Sequence, residues 1–193
     1  IKPIVVNGMF RSGTSILAKI LAMDPKIENL YYEPFHPDFP HLKRTVNKPS
    51  YRSIGEDEGN VMRNWSPDFH YHKLTLGEAE DYPEMFDFLN DVLIDDRVVK
   101  FVRLNLRLPW FRKEFPDIPI IHIIRDPRGV VFSHAGKEVS QVDHSNPEYW
   151  EKSLYYCKEY WMLYNEVQHF KFFFGKFEED LPFVKLMAMW HIN

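Results

Sequence analysis

Apolar residues recur along this chain in two patterns, short β-branched runs and longer stretches at helical spacing. Ile4, Val5 and Val6 precede Gly8 and suit a strand buried on both faces. Ile16, Leu17, Ile20 and Leu21 then follow helical spacing, and Asp24-Pro25 is expected to stop that helix. A short strand is predicted around Leu30 to Tyr32. Met85, Phe86, Phe88, Leu89, Val92 and Leu93 predict an amphipathic helix, with Pro83 near its start where a missing N–H costs nothing. Val98 to Val102 reads as a strand, Pro109 to Phe115 as a short helix and Ile118 to Ile124 as a second strong strand. A helix is expected to begin near Pro127, and another at Asn146-Pro147 with Trp150, Leu154, Cys157, Trp161 and Tyr164 on one stripe. Phe170 to Phe174 and Pro182 to Trp190 predict a last strand and a last helix.

Strands alternating with helices imply a three-layer α/β/α fold with a mainly parallel central sheet. Periodicity is lost between about residues 35 and 77, where Pro37, Pro40, Pro49 and Pro67 are scattered among Trp65, Phe69 and Tyr71. A structureless stretch of that length is uncommon in a compact domain unless it is functional. It reads as a substrate-facing insertion or lid, and equally as a surface loop, within a single domain spanning residues 1–193.

Composition narrows the partners. The chain has 193 residues, 45% hydrophobic and 27% charged, which is ordinary for a globular protein with a real core. Its net charge of -4 does not suggest a nucleic-acid surface. No apolar run approaches ~18 residues, so no transmembrane segment is expected in this chain. Cys157 is the only cysteine, which excludes an internal disulfide and speaks against a cysteine-based zinc site. A reducing, cytoplasmic setting is therefore expected. The chain starts at Ile1 and enters its first strand by Ile4, as a piece trimmed at the N-terminus would, and the C-terminus could be trimmed too.

Residues 8 to 15 read Gly-Met-Phe-Arg-Ser-Gly-Thr-Ser, between a predicted strand and a predicted helix. Gly8 and Gly13 keep the glycine spacing of the phosphate-binding pattern G-x-x-x-x-G-K-[ST], which makes the fold P-loop-like. Glycines let the backbone turn its N–H groups towards one anion, and the helix N-terminus adds partial positive charge. Thr14 stands where the pattern has lysine, and Arg11 lies inside the loop, where its fork can grip a phosphate or sulfate. That combination suits a shorter anion chain, although a Gly/Ser-rich turn with a surface arginine has the same sequence.

A second constellation follows the strand Ile118 to Ile124. Arg125-Asp126-Pro127-Arg128-Gly129 lies where ligands bind in open parallel sheets, beyond the strand carboxyl ends, and Ser133 follows about two turns later. Arg125 and Ser133 could hold a second phosphate; Arg125 and Asp126 could equally just close a strand and cap a helix.

Together the two segments resemble the cofactor signatures of sulfotransferases that use 3′-phosphoadenosine 5′-phosphosulfate (PAPS). Arg11, Ser12, Gly13, Thr14 and Ser15 are similar to the arginine-type 5′-phosphosulfate loop of carbohydrate and bacterial members. Arg125 and Ser133 are similar to the 3′-phosphate signature. Phe177-Glu-Glu-Asp-Leu-Pro182 resembles the family's acidic strand-end motif. The resemblance runs from Ile4 to about Trp190, with the middle insertion poorly matched. It implies PAPS as donor, 3′-phosphoadenosine 5′-phosphate (PAP) as product and no required metal.

Sulfuryl transfer needs in-line positioning, a base for the acceptor's proton and cations at the leaving phosphate. Glu33, in Tyr32-Glu33-Pro34 just past a predicted strand, is the candidate base, and the resemblance supports it. A loop carboxylate paired with Arg11 or Arg103 would look the same. Lys100 and Arg11 are the candidates for charge stabilisation, with a plain strand-end salt bridge the other reading of Lys100. The histidine-base mechanism of animal cytosolic members is disfavoured, because Lys100-Phe-Val-Arg103 holds no histidine. His36 and His134 are expected to be bystanders, and His122 a core strand residue. His70 and His72 form an H-x-H pair without a clear third ligand, so no metal site is assigned.

The expected function is sulfuryl transfer from PAPS to an acceptor hydroxyl or amine on a glycan, lipid, small metabolite or protein tyrosine. A kinase or NTPase of the same architecture, with Asp126 near magnesium, and a catalytically silent nucleotide-binding module are the rivals. The resemblance also admits the Golgi lumen, as the catalytic domain of a trimmed type II membrane protein.

Overall fold

The computed structural model describes residues 1–9, 11–37, 39, 58–71, 73, 75–126 and 129. The chain divides into two compact units, Ile1–Ile123 and Ile124–Asn193, and every element below belongs to the first. The helices expected near Pro127, Asn146 and Pro182, and the strand at Phe170, lie outside the described residues.

Four parallel strands form the centre: β1 (Ile4–Gly8), β2 (Asn29–Tyr32), β3 (Arg97–Phe101) and β4 (Ile120–Ile123), in spatial order β2-β3-β1-β4. Val5 pairs with Val99 and Ile120, so β1 lies between its two neighbours and is buried on both faces. The chain leaves β1 towards β2 in one direction and leaves β3 towards β4 in the other. Connections thus reverse direction about β1, and open parallel sheets bind ligands at the carboxyl ends near such a reversal.

Side chains alternate between two apolar layers, as the period of two requires. Val6, Leu30, Tyr32 and Val98 face α1 (Thr14–Leu21), which contributes Ala18. Val5, Tyr31, Val99 and Phe101 belong to the larger cluster on the opposite face. That cluster is completed by α2 (Glu58–Asn64), α3 (Asp68–Tyr71), α4 (Pro83–Val92) and α5 (Leu108–Glu114). The three-layer α/β/α architecture read from the strand and helix pattern is the one observed.

The differences from the expected boundaries have local causes. α1 ends at Leu21, before Asp24-Pro25, and Met23 and Asp24 donate to Ile20 and Leu21 as the helix unwinds into turns. β4 starts only at Ile120, after Pro119, whose nitrogen has no hydrogen to give a ladder. α5 begins at Leu108 and follows a 3-10 turn over Asn105–Arg107.

Part of the stretch from 35 to 77 is helical, because α2 and α3 lie within it. Both are too short to display a helical repeat in sequence. Phe35, Phe39, Val61, Phe69 and Leu76 from this stretch are buried in the main core, where Phe35 and Phe101 rings lie 5.0 Å apart. Arg107 ties the stretch down. Its fully buried guanidinium donates to the carbonyls of Lys73 and Phe69, both at 2.9 Å, and lies 4.6 Å from the Phe35 ring. Burial pushes its pKa down to about 9, yet it stays charged at neutral pH. The guanidinium satisfies carbonyls that the short α3 cannot satisfy itself.

Candidate functional site

The carboxyl end of β1 runs directly into the glycine loop. A Cβ on Gly8 would stand 2.7 Å from the Ile123 carbonyl oxygen and 2.9 Å from Ser12 Oγ, so only glycine fits between β4 and the loop. Arg11 turns the chain with φ 63° and Gly13 with φ 107°, both in the left-handed region. The Met9 carbonyl accepts from Ser12 N–H at 3.1 Å and from Ser12 Oγ at 2.6 Å, which closes the turn. Gly13 caps α1 without a side chain, and the first helical turn carries no acidic residue. The positive end of the helix is therefore not neutralised by its own first turn. Gly8→Ala is expected to destabilise the protein by about 1–3 kcal/mol, the usual cost of overpacking, read as a lower denaturation midpoint.

Among the expected anion-binding residues, Ser12 and Thr14 are buried, Ser15 is half-buried and Arg11 is exposed. Ser12 spends its hydroxyl inside the turn, and Thr14 is nearly enclosed, with its methyl close to Gly8.

β2 delivers Glu33. Alternation puts Lys100 of β3 on the α1 side, with Tyr32, and Lys100 Nζ lies 5.0 Å from the Tyr32 ring. Glu33 N–H donates to the Lys100 carbonyl at 2.8 Å, one step past the ladder between β2 and β3. The Lys100 ammonium donates to Glu33 Oε1, and both side chains are more than nine-tenths buried. Lys100 is thus a buried partner of Glu33, beyond the Arg11 and Arg103 that the sequence suggested. Glu33 also has φ 53°, left-handed for a non-glycine residue that precedes a proline. Backbone strain of this kind concentrates at functional sites. Tyr32 OH donates to the Ser15 carbonyl at 3.4 Å and so ties the Glu33 segment to the first turn of α1.

Arg125 and Asp126 lie in the second compact unit and are exposed. Gly129 is helical, and a Cβ there would stand 3.1 Å from Arg125 Nε; the glycine makes room for the guanidinium. Ser133, His134 and the motif at 177–182 lie outside the described residues. So does His72 of the H-x-H pair. His70 is buried, with its Nδ1 3.1 Å from the Phe35 carbonyl and its ring 5.0 Å from His36.

Sequence reasoning missed a polar network on the other sheet face. Asn7 is fully buried, and its Nδ2 lies 2.8 Å from Asn105 Oδ1 and 2.9 Å from His122 Nδ1. His122 is thus not a plain core residue. Partial burial holds its pKa below the usual 6.5. The available signal was an asparagine in an otherwise apolar strand, directly before Gly8.

A parallel sheet with helices on both faces and a strand running into a glycine loop define an α/β protein. A protein-family model described as the sulfotransferase family matches residues 3–180, so this chain belongs to the sulfotransferase family, whose reaction is sulfuryl transfer to an acceptor. Comparison with curated proteins and with solved structures gave no match. Among the described residues no helix is long and apolar enough to cross a membrane.

Proposed function

We propose that the protein transfers a sulfuryl group from PAPS to an acceptor hydroxyl, with Glu33 as general base. The observation that carries this reading is the buried Glu33–Lys100 pair, joined to the glycine loop through Tyr32 and Ser15. The residues present fit the donor: Gly13 faces open space where an anion can approach, and the first turn of α1 carries no acidic residue. Arg11 and the backbone of Ser12, Gly13, Thr14 and Ser15 would hold the 5′-phosphosulfate, and Arg125 with Ser133 the 3′-phosphate. The donor supplies the sulfuryl group and departs as PAP.

In the resting protein the ammonium of Lys100 occupies the carboxylate of Glu33. An incoming phosphosulfate offers Lys100 a second anion. As Lys100 turns towards the bridging oxygen, Glu33 is released to accept the proton of the acceptor hydroxyl. The acceptor oxygen forms the new S–O bond while the S–O bond to the 5′-phosphate breaks. Lys100 and Arg11 stabilise the charge that collects on the leaving oxygen. The acceptor is a glycan, lipid or small metabolite, bound on the side of the stretch from 35 to 77.

Calorimetric titration tests the donor. PAP is expected to bind without magnesium, whereas magnesium-dependent ATP binding in its place would reject PAPS. Sulfuryl transfer to none of a panel of alcohols, sugars and phenols would favour a silent nucleotide-binding module.

A further inference from the structure

Asn7 and His122 are register partners at the carboxyl ends of β1 and β4, and neither belongs to the glycine loop or the Glu33–Lys100 pair. The hydrogens of Asn7 Nδ2 serve two acceptors, Asn105 Oδ1 and His122 Nδ1. A ring nitrogen that accepts an amide hydrogen carries no proton, so His122 is neutral and its proton sits on Nε2. The partial burial of the ring favours the same uncharged form. Turning the Asn7 amide over would set its oxygen against Asn105 Oδ1. Asn105 would then have to turn as well and give up its donation to the Val102 carbonyl at 3.4 Å. The orientation of one amide is therefore held by the next.

This arrangement has a cost. Asn7 Oδ1 is enclosed and has no hydrogen-bond partner. A buried acceptor without a donor destabilises a fold, and a third valine after Val5 and Val6 would have avoided it. What Asn7 secures in exchange is the tautomer of a half-buried histidine whose Nε2 is engaged by no described residue. That histidine stands at the carboxyl edge of the sheet beside the strand about which the connections reverse.

We propose that His122 is a ligand-contacting residue, donating from Nε2 to a hydroxyl oxygen of a bound substrate, and that Asn7 is the positioning residue that holds it in that tautomer. A neutral N–H suits an uncharged oxygen better than a phosphate, which the cationic groups serve. The hydroxyl belongs either to the ribose of the nucleotide or to the acceptor, so this inference rests on the sulfotransferase reading above.

Two measurements on the full chain test it. Nitrogen-15 NMR of labelled histidine is expected to report the Nε2–H tautomer for His122, converting to a mixture in Asn7→Val; an Nδ1–H tautomer in the unaltered protein overturns the proposal. In the second, His122→Gln keeps a donor at the reach of Nε2, whereas His122→Asn keeps only the Nδ1 side. His122→Asn is expected to lose about tenfold, a neutral hydrogen bond's worth, and His122→Gln to retain most of the affinity. The loss falls on the calorimetric Kd for PAP if the hydroxyl is the ribose's. It falls on KM, with kcat held, for whichever of 4-nitrophenol, N-acetylglucosamine or octanol the enzyme sulfates best if the hydroxyl is the acceptor's. Equal behaviour of the two variants in both assays overturns the proposal. Failure of the unaltered protein to bind PAP would instead reject the donor assignment, and the NMR result would stand apart from it.

Discussion

Glu33→Gln is expected to lower turnover by about 10²–10⁴-fold, the range that a positioned general base contributes, while leaving PAP affinity nearly unchanged. Glutamine keeps the size of the side chain and an oxygen that can accept from Lys100. The variant should therefore fold, and thermal denaturation checks that it does. What it cannot do is take a proton from the acceptor hydroxyl. Separating kcat from nucleotide binding is decisive here, because Glu33 touches Lys100 and lies next to a residue bonded to the loop. A parallel fall in both would mean that the change had disturbed the loop. Unaltered kcat would make the buried pair purely structural and move the base elsewhere in the site.

Lys100→Met should show two separable losses. Removing one member of a buried ion pair leaves the other charged and enclosed, which typically costs about 3–5 kcal/mol. The pair is well inside the protein, with side-chain exposures of 5% for Lys100 and 8% for Glu33, so solvent screening is small. The lower urea midpoint of the variant reads this loss. The second loss is catalytic: a preorganised cation at the leaving oxygen is worth about 10²–10³-fold in turnover. Adding Glu33→Gln to Lys100→Met removes the stranded carboxylate and should restore much of the stability. It should not restore activity. If stability and turnover recovered together, Lys100 would act only by holding the fold.

Much of the fold was legible because its signals are local. The β-branched runs at Ile4 to Val6 and Val98 to Val102 gave the right strands, the second shifted by one residue, and Pro83 marked the start of α4. The helical turns at 58–71 were not legible. Their apolar residues are too few for a repeat and find their partners elsewhere in the chain, as Phe69 does against Phe88. Arg107 was equally hidden, since nothing in its neighbourhood of leucines shows that its guanidinium will be enclosed by carbonyls from residues 69 and 73.

The candidate site divides the same way. The loop from Gly8 to Ser15 is contiguous, and glycine spacing, the arginine in the turn and the missing lysine are all properties of a single short segment. By itself, then, the sequence determined the α/β class, the glycine-rich first turn and the sulfotransferase family. The partner of Glu33 was a different matter. The sequence offered Arg11 or Arg103, and only the order β2-β3-β1-β4 brings Lys100 of β3 beside the end of β2. The same order sets Asn7 against His122, residues 115 apart in sequence. Pairing across a sheet depends on which strands become neighbours, and that is settled by the packing of the whole sheet rather than by any segment of it.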